Sequence, residues 1–134
     1  MKQEAKHITT GKLGEEIACK FLLSKGYSII ERNFLRKYGE LDIIAQKRGI
    51  LTFIEVKTVS CENLDNVNRE TSDKYRPEDN VHPNKIKRLK RVIQVYLSKP
   101  GFSRETEWEF GIISVVLSRN SPSAKVKYIK DIIL

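Results

Sequence analysis

The chain has 134 residues, 40% of them hydrophobic and 31% charged, which predicts one globular domain over residues 1–134 and excludes a largely disordered protein. No apolar run approaches the ~20 residues of a membrane span, and the N-terminus leads into no signal-peptide core, so we expect a cytoplasmic protein without membrane association. The net charge of +8 favours an anionic partner, nucleic acid before an anionic membrane surface.

The first predicted element is an amphipathic helix that follows Thr9-Thr10 and stops at Gly26. Glu15 falls at the edge of its apolar stripe, where a helix meets the sheet that it covers. The stripe consists of two interleaved i, i+4 rows: Leu13, Ile17, Phe21 and Gly14, Ala18, Leu22.

Three strands are predicted next, over 28–34, around 41–45 and over 50–59. The short link Lys47-Arg48-Gly49 favours a hairpin between the second and third strands. If Arg48-Gly49 is a two-residue turn, counting outward places Asp42 directly opposite Glu55. Paired residues share a face with Cβ atoms ~5 Å apart, so two carboxylates at that distance repel unless a cation lies between them.

Residues 60–83 form a long polar segment, which predicts a functional flap or a disordered loop. After Pro83-Asn84, apolar residues recur at helical spacing up to Pro100-Gly101. A buried strand over 112–117 and a final strand over 125–134 complete the chain. The predicted order is α-β-β-β-α-β-β, an α/β fold with a mixed sheet flanked by helices.

Glu55 and Lys57 are candidate catalytic residues on the third strand. Side chains at i and i+2 of a strand share a face, and a carboxylate beside an ammonium, with Asp42 nearby, suits a metal-dependent phosphodiesterase. A solvated strand also alternates charges, and such a surface pair is worth only ~0–1 kcal/mol. The apolar neighbours Phe53 and Ile54 favour a buried central strand instead, where charges need a partner or a metal.

A second group of candidate residues is basic and predicts contacts with phosphates. An ordinary solvated helix face would also place most of these bases off the apolar stripe, so the alternative of a non-functional surface stays open. The candidates are Lys85, Lys87, Arg88, Lys90 and Arg91 on the second helix, with Arg36 and Lys37 after the first strand.

Several short motifs lie between residues 9 and 97: Gly11-x-x-Gly14-Glu15-x-x-Ala18, Gly26-Tyr27, Asn33, Gly39-Glu40-Leu41-Asp42 and Phe53-Ile54-Glu55-Val56-Lys57-Thr58. Together they resemble the YraN-like family of bacterial predicted endonucleases. The core of that family is similar to Holliday-junction resolvases and to the PD-(D/E)xK superfamily. Relatives often carry Asp in the late strand, where this chain has Gly111.

The resemblance implies a restriction-endonuclease-like core and an active site made of Glu15, Asp42, Glu55 and Lys57. Asp42 and Glu55, joined by Glu15, are expected to ligate Mg²⁺ or Mn²⁺, and Lys57 to stabilise developing negative charge. We therefore expect a Mg²⁺-dependent endonuclease acting on DNA, selective for branched or single-stranded structure. A catalytically weak or inactive nucleic-acid-binding module of the same fold is the alternative. Whether the chain forms a homodimer is left open.

Overall fold

In the part of the chain that the structure describes, two helices and five strands follow one another in the predicted order, and the α/β class with a mixed sheet is confirmed. The computed structural model describes the backbone of residues 2–62 and 83–134 and the side chains of 10–62 and 83–134. The elements are α1 (Lys2–Ser24), β1 (Ser28–Arg36), β2 (Gly39–Lys47), β3 (Ile50–Cys61), α2 (Pro83–Leu97), β4 (Trp108–Ser118) and β5 (Ala124–Ile129).

The five strands form one sheet in the order β1-β2-β3-β4-β5. All neighbours are antiparallel except β3 and β4, which are parallel because the connection between them contains α2. The predicted two-residue turn joins β2 to β3: Arg48 and Gly49 have φ of 53° and 80°, as a tight hairpin turn with two left-handed residues requires. Lys47 pairs with Ile50, and the predicted register continues to the pair Ile43 and Ile54.

The helices cover opposite faces of the sheet. On one face, α1 buries Ala18 and Leu22 against residues such as Ile54. On the other, α2 buries Val92 and Ile93 against aromatic side chains of the central strands. Residues 51–54 of β3 are all buried, so β3 is the central, doubly covered strand that its apolar sequence predicts.

Several predicted boundaries are wrong. Helix α1 begins at Lys2 instead of after Thr10, and Leu13, predicted in its apolar stripe, is 49% exposed. β3 extends to Cys61 because its pairing with β4 continues to that residue. Of the predicted polar loop 60–83, residues 63–82 lie outside the described residues. β5 ends at Ile129 instead of continuing to the end of the chain.

The end of the chain returns to the sheet as an irregular segment. Asp131 has a left-handed φ of 53°, which interrupts the extended backbone. The Ile132 N–H donates a hydrogen bond to the Phe110 carbonyl at 3.0 Å, and Ile132 and Leu134 pack against the α2-side core. Neither helix in the described part of the chain is both long and apolar enough to span a membrane.

Candidate active site

Asp42 lies where the β2–β3 ladder ends. The last pair of the ladder is Ile43 with Ile54, so Asp42 and Glu55 are the next two residues in the register, as predicted. At this point the Val56 N–H donates a hydrogen bond to Asp42 Oδ2 at 2.8 Å. The carboxylate therefore supplies the acceptor at the end of the ladder, and its orientation is fixed by the backbone of the strand that carries Glu55.

The pKa of Asp42 is raised from 3.8 to about 6. Burial is the largest cause, and the negative charges of Glu15, Glu40 and Glu55 raise it further, against the Val56 hydrogen bond, which lowers it. An ionised Asp42 is thus held in a dehydrated and negatively charged environment. A cation placed there would relieve both penalties.

Two lysines contact the same oxygen of Glu55. Lys57 Nζ lies 3.4 Å from Glu55 Oε1, and Lys85 Nζ, from the first turn of α2, forms an ion pair with that atom. The Glu55 side chain is only 14% exposed. Its other oxygen, Oε2, is buried and accepts no hydrogen bond from any residue in the described ranges.

The two ammonium groups differ in their electrostatic environment. Burial, reinforced by contact with Lys85, lowers the pKa of Lys57. Burial acts in the same direction on Lys85, but the hydrogen bond to the Glu55 carboxylate and the negative charge of that group outweigh it, so the pKa of Lys85 is raised. Lys85, predicted as a phosphate contact, therefore lies inside the carboxylate cluster.

Glu15 reaches the cluster from α1 because that helix approaches the sheet closely at Gly14. A Cβ on Gly14 would overlap Thr58 Oγ1 and lie 2.8 Å from Thr58 Cβ and Cγ2. Arg32 of β1 lies 3.6 Å from Glu15 Oε2 and 2.6 Å from Glu16 Oε1. Glu15 is thus oriented at the end of the sheet, near enough for its charge to raise the pKa of Asp42.

Asn33 and Glu40 complete the acidic cluster, and neither is among the predicted site residues. With the Asn33 amide oriented so that its nitrogen and its oxygen both have suitable partners, the nitrogen donates a hydrogen bond to Glu40 Oε1 at 3.0 Å. The same nitrogen lies 3.3 Å from each carboxylate oxygen of Glu15. Asn33 adopts a left-handed φ of 55°, a conformation that Asn tolerates better than most residues. The available sequence signal was the set of motifs that carries the family resemblance, which includes both residues.

The carboxylates fit a hard divalent cation that keeps part of its water shell. Among the residues that the structure describes, no three His, Cys, Asp or Glu side chains are grouped closely enough to hold a metal. Mg²⁺ commonly binds through one or two carboxylates and several waters. Asp42 and the unpartnered Glu55 Oε2 provide such a pair, and Glu15 would act through water.

Packing leaves no room for a side chain at Gly111. A Cβ there would lie 2.6 Å from Tyr128 Cε1 and 2.9 Å from the Ile129 carbonyl oxygen. The flanking Phe110 and Ile112 belong to the α2-side core, so a side chain at 111 would project onto the α1 side. An acid at this position would therefore not join the Glu55–Lys57 pair on the α2 side.

The predicted basic surface combines α2 with the β1–β2 turn. Lys87, Arg88 and Lys90 are exposed. Arg91 stacks on Tyr38 of the turn, its Cζ 3.8 Å from the ring centroid and Nη2 3.2 Å from the hydroxyl. Two further predicted bases lie at this hairpin. Arg36 Cζ lies 4.0 Å from the centroid of the Phe34 ring, and Lys37 is exposed in the turn.

Replacing Asp42 by asparagine is expected to stabilise the metal-free protein at high pH. Because the pKa of Asp42 is higher in the folded chain, the folded state binds the proton more tightly, and this contribution to stability is lost as pH rises through about 6. The asparagine side chain keeps an oxygen that accepts the hydrogen bond from the Val56 N–H. It does not ionise, so its contribution to stability does not fall as the pH rises. We expect the variant to gain about 1–2 kcal/mol at pH 8 and almost nothing at pH 4.

Urea unfolding in chelator at both pH values measures this difference. Glu107→Gln, which removes an exposed carboxylate before β4, is the control and should show no such pH dependence. An equal gain for Asp42→Asn at pH 4 and pH 8 would show that burial does not raise the pKa of Asp42.

Comparison with known proteins gives a consistent result. Residues 14–115 match the family described as Uncharacterised protein family UPF0102. A UPF0102 protein of Helicobacter pylori (strain HPAG1) is 44% identical over 94 residues, 70% of this chain and 71% of the relative. A UPF0102 protein of Flavobacterium johnsoniae is 33% identical over 129 residues, 95% of each chain. This chain therefore belongs to family UPF0102.

Proposed function

We propose that the protein is a metal-dependent endonuclease that hydrolyses phosphodiester bonds of DNA. The observation that carries the proposal is the cluster at the end of the β2–β3 ladder, where Asp42 with a raised pKa adjoins Glu55 and Lys57. Such a combination of dehydrated carboxylates and a lysine suits charge stabilisation on a phosphodiester. The resemblance to the YraN-like family and the PD-(D/E)xK superfamily assigns these residues the same roles.

In the proposed mechanism, Asp42 and Glu55 would hold Mg²⁺ or Mn²⁺, and Glu15, which contacts Arg32 and Asn33, would act through water. When bound, the metal supplies Lewis-acid polarisation of the phosphate and a more acidic water. Lys57 lies on the same face of β3 as Glu55 and neutralises charge that develops on the phosphate oxygens. Its lowered pKa brings it closer to the range of a general base, although charge stabilisation requires only the protonated form.

The proposed substrate is DNA with branched or single-stranded structure. Lys85, which forms an ion pair with Glu55, lies on the same helix as the exposed bases and as Arg91, which stacks on Tyr38. Phosphate contacts by such bases carry no sequence information. Incubation with branched, single-stranded and duplex DNA and with RNA, in Mg²⁺, Mn²⁺ or chelator, tests the proposal. We expect metal-dependent cleavage of the branched or single-stranded DNA.

A nucleic-acid-binding module without cleavage is the second candidate. One observation favours it: within the described ranges no three acidic or other metal-binding side chains form a complete ligand set. DNA binding without cleavage of any of these substrates would select this candidate.

Replacing Lys87, Arg88 and Lys90 with glutamine is expected to flatten the salt dependence of DNA affinity. Each phosphate contact contributes ~0.9 to the slope of log K against log salt, so losing three contacts should reduce its magnitude by about 2–3. Fluorescence anisotropy at several salt concentrations measures the slope. The control replaces Lys20, Lys125 and Lys127, exposed bases on α1 and β5, and should leave it unchanged.

An unchanged slope in the α2 variant would place the DNA contacts elsewhere. The next bases to replace are then those of the two hairpin turns, Arg36, Lys37, Lys47 and Arg48.

A further inference from the structure

Glu55 has an unusual distribution of contacts between its two oxygens. Lys57 and Lys85 both approach Oε1, while the buried Oε2 has no hydrogen-bond donor among the described residues. Two ammonium groups therefore share one carboxylate oxygen in a mostly buried position. A cation at Oε2 would share the same carboxylate with both ammonium groups.

A divalent cation at Glu55 would bring three positive groups around one carboxylate. Like charges separated by a few ångströms in a partly buried site repel strongly, so the arrangement relaxes if one lysine moves away or loses its proton. The Lys57 and Lys85 side chains are similarly exposed, 28% and 32%. They differ in position, because Lys57 lies within β3, beside β4, and Lys85 lies at the start of α2.

Lys85 differs from Lys57 in the surface that its ammonium can reach on leaving Glu55. It belongs to the first turn of α2, and its side chain is 32% exposed. The neighbouring Lys87 and Arg88 are exposed on the same helix. A displaced Lys85 ammonium would thus point towards the surface proposed to bind phosphates.

We propose that Lys85 and the divalent cation compete for Glu55, so that cation binding releases Lys85 for contact with the phosphates of the nucleic acid. This inference rests on the metal site of the proposed function. It makes Lys85 a positioning residue that couples two ligands: the cation strengthens nucleic-acid binding and, by reciprocity, the nucleic acid strengthens cation binding.

Titration with Mn²⁺ in a calorimeter tests the competition without any need for cleavage. Lys85→Met should bind Mn²⁺ about tenfold more tightly than wild type, since the competing ammonium is gone. Lys87→Met is the matched control: it removes the same charge two residues away and should change the dissociation constant less than twofold. Lys85→Arg keeps the charge and should not tighten binding.

Equal or weaker Mn²⁺ binding by Lys85→Met than by Lys87→Met would overturn the proposal, and so would the absence of Mn²⁺ binding by every variant. Circular dichroism establishes that each variant is folded. The proposed nuclease activity fails separately, if the wild type binds Mn²⁺ but cuts none of the DNA substrates.

The affinity for DNA measures the coupling between the cation and the nucleic acid. This experiment uses Ca²⁺ as the cation and measures DNA binding without cleavage. The affinity of the wild type for a labelled single-stranded DNA should be severalfold higher in Ca²⁺ than in chelator. That rise should persist in Lys87→Met and shrink in Lys85→Met. An equal rise in both variants would show that Lys85 does not connect the two sites.

Discussion

Replacing Lys57 with alanine is expected to reduce DNA cleavage by ~10²–10³-fold without weakening Mn²⁺ binding, whereas Glu55→Ala should lose cleavage and Mn²⁺ binding together. Lys57 is proposed to act on charge that develops only in the transition state, and loss of one such group typically costs this much in rate. The Glu55 carboxylate is instead part of the ground-state metal site. Single-turnover cleavage and calorimetry measure the two effects.

The exposed Lys37 provides the control. Lys37→Ala removes a positive charge from the surface proposed to bind phosphates, so it should weaken DNA binding slightly and leave the single-turnover rate at saturation unchanged. Cleavage by Lys57→Ala at the wild-type rate would remove Lys57 from the mechanism. Loss of Mn²⁺ binding in Lys57→Ala would instead assign it a structural role in holding Glu55.

The hairpin between β2 and β3 is the part of the fold that the sequence predicts best. Arg48-Gly49 restricts the turn to two residues, and the turn sets the register, so the adjacency of Asp42 and Glu55 follows from counting along two strands. Element ends are harder to predict, because they depend on tertiary contacts. β3 continues to Cys61 because β4 pairs with it, and β5 stops early where Asp131 turns the chain back towards Phe110.

The sequence predicts the types of residues in the candidate site better than their contacts. Asp42, Glu55 and Lys57 follow from strand geometry, and Glu15 from its place on a helix edge. The ion pair between Lys85 and Glu55 could not be derived in this way, because it depends on how α2 returns to the sheet. Asn33 was named as part of a motif but was given no place in the site, because a left-handed residue inside a strand breaks the alternation on which strand predictions rely.

Gly14 explains how α1 contributes Glu15 to the candidate site at the end of the sheet. Without a side chain there, the backbone of α1 lies directly against Thr58, two strand positions beyond Val56, which binds Asp42. The adjacent Glu15 is thereby brought to Asn33 and Arg32. A wider spacing between helix and sheet would move the Glu15 carboxylate away from Asp42.

Two glycine-to-alanine substitutions in α1 are therefore expected to have opposite effects on stability. Gly11 is exposed, and a Cβ added there would have no atom within 4 Å, so Gly11→Ala should raise the free energy of unfolding by about 0.5–1 kcal/mol through helix propensity alone. Gly14→Ala gains the same propensity but collides with Thr58, and overpacking should lower the free energy of unfolding by about 1–3 kcal/mol.

Urea unfolding of the two variants and of Thr58→Ala measures these effects. Thr58→Ala removes Oγ1 and Cγ2 but leaves its Cβ only 2.8 Å from the added methyl group, so the double variant Gly14→Ala/Thr58→Ala should recover part of the loss. Because Glu15 follows Gly14, Gly14→Ala should also weaken Mn²⁺ binding, and Gly11→Ala should not. Equal stabilisation by both alanines would mean that α1 does not approach β3 closely at Gly14, and the placement of Glu15 beside Asp42 would then lose its structural basis.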